Sequence, residues 1–187
     1  MNQVEAMSWE RIISLTEYAF QPIVNIHTGM VYGYEALIRK VDAAGFDSID
    51  AFFDAAEQEG ILGGLHHMLF KMAAAKFTQL PWHTEARLFF NLDSRLFGSS
   101  HAEQPILPPP QDETRDLRSS ACLEISERHE IFNTVLLSDH LERLRKEDFR
   151  IAVDDFGAGF SSLKLLYYIR PEYIKIDRFY IKDIEKD

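Results

Sequence analysis

Arg150-Ile151-Ala152-Val153-Asp154-Asp155-Phe156-Gly157-Ala158-Gly159-Phe160-Ser161-Ser162 decides the fold class, because it runs from an apolar strand through a glycine turn into a helix. Ser161 is placed to cap that helix, whose apolar face carries Leu163, Leu166 and Tyr167. A further strand, Tyr173 to Asp177, follows. Upstream the same alternation repeats: strand Leu88 to Leu92, strand Ala121 to Ser126, then a helix around Leu137, Leu141 and Leu144. Strands that alternate with helices predict a mostly parallel sheet, doubly wound or closed as a barrel.

The beginning of the chain departs from that alternation. Trp9, Ile12 and Ile13 behind Ser8 predict a short leading helix, and Phe20 to Asn25 and Met30 to Arg39 read as two strands joined by the turn His27-Thr28-Gly29. One pair of the six strands is therefore antiparallel. Ser48 caps a helix carrying Ile49, Phe52, Phe53 and Ala56, which Gly60 ends; a second helix carries Leu65, Met68, Leu69 and Met72 and stops before Pro81. Gly98 to Ser120, with four prolines, reads as a loop. No repeat and no interior linker divides the 187 residues, so one domain is expected.

Thirty acidic against twenty basic residues, a net charge of −10, oppose binding to a nucleic-acid polymer. The single cysteine, Cys122, excludes an intrachain disulfide and a Cys-based zinc cluster, and fits a reducing compartment such as the cytoplasm. No stretch is long and apolar enough to span a bilayer, so no membrane contact by this segment is expected.

Parallel strands covered on both faces read as continuous apolar runs. These strands do not. Glu35 shares a face with Gly33, Leu37 and Arg39; Asn91 follows Leu88, Phe89 and Phe90; Glu124 follows Leu123; Asp154 and Asp155 follow Val153; Lys175 lies between Ile174 and Ile176. Each of five strands thus carries a polar group near its carboxyl end, where ligand sites assemble in α/β folds. Taken singly, a strand-end Glu is ordinarily a surface acid and Asp-Asp before a glycine turn ordinarily a cap. Together they need a compensating positive charge, since burying unpaired carboxylates costs several kcal/mol each, and one lysine does not neutralise four acids. Oxygen ligands without Cys or His suit Mg²⁺ or Mn²⁺, and a two-metal site fits phosphoryl chemistry.

A dinucleotide-binding reading of Gly157-x-Gly159-x-x-Ser162 lacks the third glycine, and its two preceding carboxylates would repel a pyrophosphate. His66 and His67, adjacent on a helix, diverge and read as surface or capping residues; Cys122 reads as a core thiol.

Glu35-Ala36-Leu37-Ile38-Arg39 resembles the signature of the EAL family. Gln21-Pro22-Ile23-Val24, Asn91-Leu92, Leu123-Glu124-Ile125-Ser126-Glu127, the block Asp154 to Leu163 and Lys175-Ile176-Asp177 occur in family order at similar spacing. The resemblance implies a TIM-like (β/α)8 barrel with an antiparallel first strand. By that resemblance the barrel is expected to be incomplete here, with residues 1–17 as a leading helical segment and 18–187 as a partial domain lacking the last two strands.

It also implies cyclic di-GMP phosphodiesterase activity, hydrolysis of the ring to linear pGpG in bacterial second-messenger signalling. Glu35, Asn91, Glu124, Asp154 and Asp155 would ligate two ions, with Lys175 and Glu35 as the catalytic pair and Lys175 holding the attacking water. Gln21, Arg39 and Asp177 would contact substrate, and Glu127 would support the loop after the Asp-Asp strand. A homodimer or higher oligomer and further signalling domains are expected partners, with weak or absent hydrolysis by the chain alone. The alternative implied by non-hydrolysing relatives is a cyclic di-GMP-binding or protein-interaction module.

Overall fold

The computed structural model describes residues 8–98, 106–107, 115–126, 133–157 and 162–182. Its centre is one six-stranded sheet in sequential order. Strand β1 (Glu17–Val24) and β2 (Val31–Arg39) form the antiparallel hairpin, with Gln21 opposite Glu35. Gly29, at φ +70°, supplies the left-handed turn residue between them. The strands β3 (Arg87–Leu92), β4 (Ala121–Ser126), β5 (Arg150–Phe156) and β6 (Tyr173–Ile176) add in parallel. Among the described residues β1 and β6 pair with one neighbour each, so the barrel is incomplete.

The sheet is nevertheless strongly curled. A flat sheet would hold β2 and β6 about 19 Å apart, four strand spacings. Instead the Tyr32 and Tyr173 hydroxyls lie 2.6 Å apart, and Lys175 Nζ is 2.9 Å from Glu35 Oε2. Gly33 permits the inner face to close: a Cβ there would stand 2.7 Å from the Phe89 ring and 2.8 Å from the Arg87 carbonyl oxygen.

Helices cover the outer face. Helix α1 (Trp9–Ser14) precedes the hairpin; α2 (Ile49–Gln58) and α3 (Leu62–Phe77) cross from β2 to β3. Ser48 Oγ accepts from Ala51 N at 3.0 Å as the N-cap of α2, and Gly60 leaves that helix at φ +71°. A 3-10 helix follows β3 over Ser94–Phe97. Within the stretch read as a loop, Arg115–Arg118 forms a short helix, α4, and Ile106 and Leu107 are buried. A four-residue helix holds too little apolar periodicity to register in sequence. Helix α5 (Thr134–Lys146) leads into β5, α6 (Ser162–Ile169) into β6, and α7 (Arg178–Ile181) follows it. The expected cap Ser161 lies outside the described residues.

Period-two alternation sorts the strand residues. Leu88, Phe90, Leu92, Leu123, Ile125, Ile151 and Val153 point outward into the main core beneath the helices. Phe90 meets Tyr18 on β1 and Phe70 on α3, so one ring ties the hairpin to a crossover helix. Phe89, Cys122 and Ala152 form a second, inner cluster, with Ile23 and Tyr173 against it. This plug fills the amino-terminal half of the interior and leaves the carboxyl ends for polar groups.

Candidate metal centre

The register builds the centre one strand at a time. Glu35 pairs with Phe89, and Asn91 lies two residues further along β3; Asn91 pairs with Glu124. Glu124 in turn pairs with Ala152, and Asp154 lies two residues beyond it; Ala152 pairs with Tyr173, two before Lys175. Each side chain points inward one layer above the apolar plug. Ligand oxygens of Glu35, Glu124 and Asp154 consequently lie within 4.8 Å of one another.

Lys175 reaches all three. Its Nζ stands 2.8 Å from Glu124 Oε1, 2.9 Å from Glu35 Oε2 and 3.1 Å from Asp154 Oδ1. Asn91 Nδ2 donates to Glu35 Oε1 at 3.1 Å, fixing that carboxylate from its other side. Burial would lower the lysine pKa, but the surrounding acids, Glu124 first, reverse this and hold it above its usual range. Burial pushes the Glu124 carboxyl up to about 8, against the pull of Lys175 and with the charges of Glu35 and Asp154 adding to the rise.

Glu124 is 0% exposed, and its Oε2 has no hydrogen-bond partner among the described residues. A buried carboxylate oxygen without a donor is costly. A divalent cation satisfies that oxygen and the other two acids together, with the oxygen donors that Mg²⁺, Mn²⁺ and Ca²⁺ prefer. The donor set therefore fits a hard ion.

Asp155 is half-buried beside this group, held at φ +53°. That turns it away from the alternation of β5, and its carboxylate is outside the three-acid group. Gly157, at φ +101°, completes the turn, and Tyr180 donates to its carbonyl at 2.6 Å. Gln21 and Arg39 line the cavity above the acids; Arg39 Nη1 donates to the Ile38 carbonyl. Asp177 caps α7, accepting from Phe179 N at 2.7 Å, and is not among the cavity-lining residues. Glu127 lies outside the described residues.

The cavity encloses about 840 Å³, and six carboxylates against four cationic Lys and Arg side chains line it. Its lining also includes Asp54, His66, Asp93 and Arg95. Arg95 sits between Asp93 and Asp54. Burial pushes the Asp93 carboxyl up, but hydrogen bonds from the Arg95 side chain and backbone, with the His66 and Arg95 charges, leave it below its usual range. His66, read as a surface or capping residue, is buried on α3, stacked on Phe53 at 5.1 Å and edge-on to Phe90. Its position four residues after Leu62 and three before Leu69 is the periodic signal for this burial.

Among the described residues no helix is long and apolar enough to cross a membrane. The probable cyclic di-GMP phosphodiesterase PdeI of Escherichia coli is 32% identical over 176 residues, covering 88% of this chain and 22% of PdeI. PdeG of the same organism, also named a probable cyclic di-GMP phosphodiesterase, is 30% identical over 90% of this chain and 34% of its own length. This chain thus spans between about a fifth and a third of those two relatives. Among solved structures, Klebsiella pneumoniae BlrP1 in a calcium/cy-diGMP complex superposes with a TM-score of 0.71 at 26% identity, over 92% of this chain and 43% of that one. Its manganese/cy-diGMP complex at pH 6 gives 0.69 at the same identity, over 91% and 42%. The EAL domain family model matches residues 14–187, and the chain belongs to the EAL domain family.

Proposed function

We propose that this chain carries the site of a phosphodiesterase that opens cyclic di-GMP to linear pGpG with two Mg²⁺ or Mn²⁺ ions, acting in the cytoplasm. The observation that carries this reading is the convergence of Glu35, Glu124 and Asp154 on Lys175 at the carboxyl ends of parallel strands, beneath a cavity of about 840 Å³. The names of PdeI and PdeG and the nucleotide complexes of BlrP1 support it.

In this reading Glu35, Asn91, Glu124, Asp154 and Asp155 hold the ions, and Asn91 keeps Glu35 turned inward. When bound, the ions lower the pKa of a water and screen the charge that builds on the phosphate oxygens. Lys175 Nζ donates to the attacking water and holds it in line with one phosphorus. The water oxygen adds to phosphorus and the P–O3′ bond opens. The leaving 3′ oxygen takes up a proton, and the product keeps a 5′ phosphate. Gln21 and Arg39 contact the nucleotide from the cavity wall, and Asp177 contacts it from the end of β6. Exposed Ile174, Ile176 and Phe179 beside the open edge support self-association.

The test is incubation with cyclic di-GMP and Mn²⁺, chromatography for pGpG, and Glu35→Ala as control. Metal-dependent product that the control lacks supports the proposal. Nucleotide binding without product moves the assignment to a non-hydrolysing binding module, and absence of both refutes it.

A further inference from the structure

We propose that Arg95 selects guanine in this cavity by reading the base edge, with Asp93 and Asp54 as its positioning residues. The inference rests on the nucleotide reading above and adds the group that tells one purine from the other.

Three observations carry it. The first is placement. The strand that delivers Asn91 to the acids continues directly into the 3-10 helix that carries Arg95, so the acidic centre and Arg95 are set by one continuous segment. Asn91 to Arg95 all line the cavity, which is large enough for more than a phosphodiester.

The second is pre-organisation. Asp93 Oδ1 and Oδ2 accept from Arg95 Nε at 2.9 and 3.1 Å, and Oδ2 also accepts from Nη2 at 2.6 Å. Asp54, reaching across from α2, accepts from Nη1 at 2.6 Å. Asp93 itself is fixed as the cap of the 3-10 helix, accepting from the Arg95 backbone N–H at 2.9 Å. The guanidinium plane is thus set before any ligand arrives, which reduces the entropy lost on binding.

The third is chemistry. A guanidinium has five N–H donors, and these bonds engage one on Nε, one on Nη1 and one on Nη2. One N–H on each of Nη1 and Nη2 is left without a protein acceptor among the described residues. Two carboxylates offset the positive charge of the guanidinium, so a phosphate gains little there. A neutral pair of acceptors gains most. Guanine offers N7 and O6 as such a pair, whereas adenine places its N6 amino donor where O6 would be. Ile49 and Phe53, on the helix that carries Asp54, give the same wall apolar surface for the face of a base.

The test measures binding of cyclic di-GMP and cyclic di-AMP by calorimetry in Ca²⁺, for the wild type, Arg95→Lys, Arg95→Ala and Asp93→Asn. Arg95→Lys keeps a cation for Asp93 and Asp54 and preserves the fold, but it offers no planar donor pair. Losing that pair should weaken cyclic di-GMP binding about ten- to a hundred-fold, with cyclic di-AMP binding changed less than about twofold. Arg95→Ala should do the same, and Asp93→Asn should lower the ratio between the two nucleotides. Mn²⁺ affinity should stay at the wild-type value in Arg95→Lys, which separates this wall from the acidic centre.

Equal losses for both nucleotides, or full selectivity in Arg95→Lys, would overturn the assignment while leaving the phosphodiesterase reading intact. A wild type that binds neither nucleotide removes that reading, and the role of Arg95 with it.

Discussion

Replacing Lys175 with Met keeps the length of the side chain and removes its charge, leaving Glu35, Glu124 and Asp154 facing one another. Above about pH 8, with all three acids ionised, and at an effective dielectric constant of about 20, each of the three contacts contributes about 5 kcal/mol of gross attraction and each acid pair repels by about 3 kcal/mol or more. The desolvation of Lys175 offsets much of the attraction, and breaking a buried pair costs about 3–5 kcal/mol net. The Lys175 side chain is 27% exposed, which places this case at the lower end, about 3 kcal/mol. For a domain of this size that corresponds to a drop of about 6–12 °C in Tm. The assay is thermal and urea unfolding in EDTA, wild type against Lys175→Met. Mn²⁺ should then narrow the gap, because the ion supplies the charge the variant lacks. A variant within about 0.5 kcal/mol of wild type in EDTA would refute the claim that the acids depend on a buried cation.

Two other outcomes follow from the geometry. Gly33→Ala drives a Cβ against the Phe89 ring and the Arg87 carbonyl oxygen. The carbonyl belongs to a paired strand and cannot step aside, so about 1–3 kcal/mol of stability should be lost in urea titrations. The second concerns pH. Folding raises the Glu124 carboxyl from its ordinary 4.5 to about 8, so between those values the native state holds a proton the unfolded chain has released. Stability in EDTA should therefore fall as pH rises through this window and level off above it. Glu124→Gln should flatten the slope, and an unchanged slope in that variant would exclude Glu124 as its source.

The polar positions of the inner face were legible because strand periodicity is two and the interruptions of apolar runs fall at the same end of successive strands. Glu35, Asn91, Glu124, Asp154 and Lys175 could be placed on one side by counting alternate residues, and the structure brings these five side chains to one mouth. Counting fails where the backbone leaves the strand conformation. Strict alternation would put Asp155 on the face opposite Asp154, but its φ of +53° breaks the strand conformation and both residues line the same cavity. Asp177 was read as the end of a strand, and the chain turns there into α7 with Asp177 as its cap.

Strand limits shifted for a related reason. The hairpin pairs Glu17 with Arg39, three residues before the expected start of β1, because the partner strand is that long. The Arg95–Asp54 contact bridges 41 residues, and nothing in the local sequence links the acid on α2 to the base after β3. The adjacency of His66 to His67 carries no information about burial, whereas the place of His66 in the apolar stripe of α3 does. The expected loop around Pro105 to Pro110 falls largely outside the described residues.

The central claim is that the buried acids form a divalent-cation site, and electron paramagnetic resonance of Mn²⁺ titrated into the protein tests it most directly. Wild type should deplete the free Mn²⁺ signal with saturable binding, and Glu124→Ala and Asp154→Asn should each weaken that binding about tenfold or more. Mn²⁺ uptake that is absent in the wild type, or identical in all three proteins, would contradict the account.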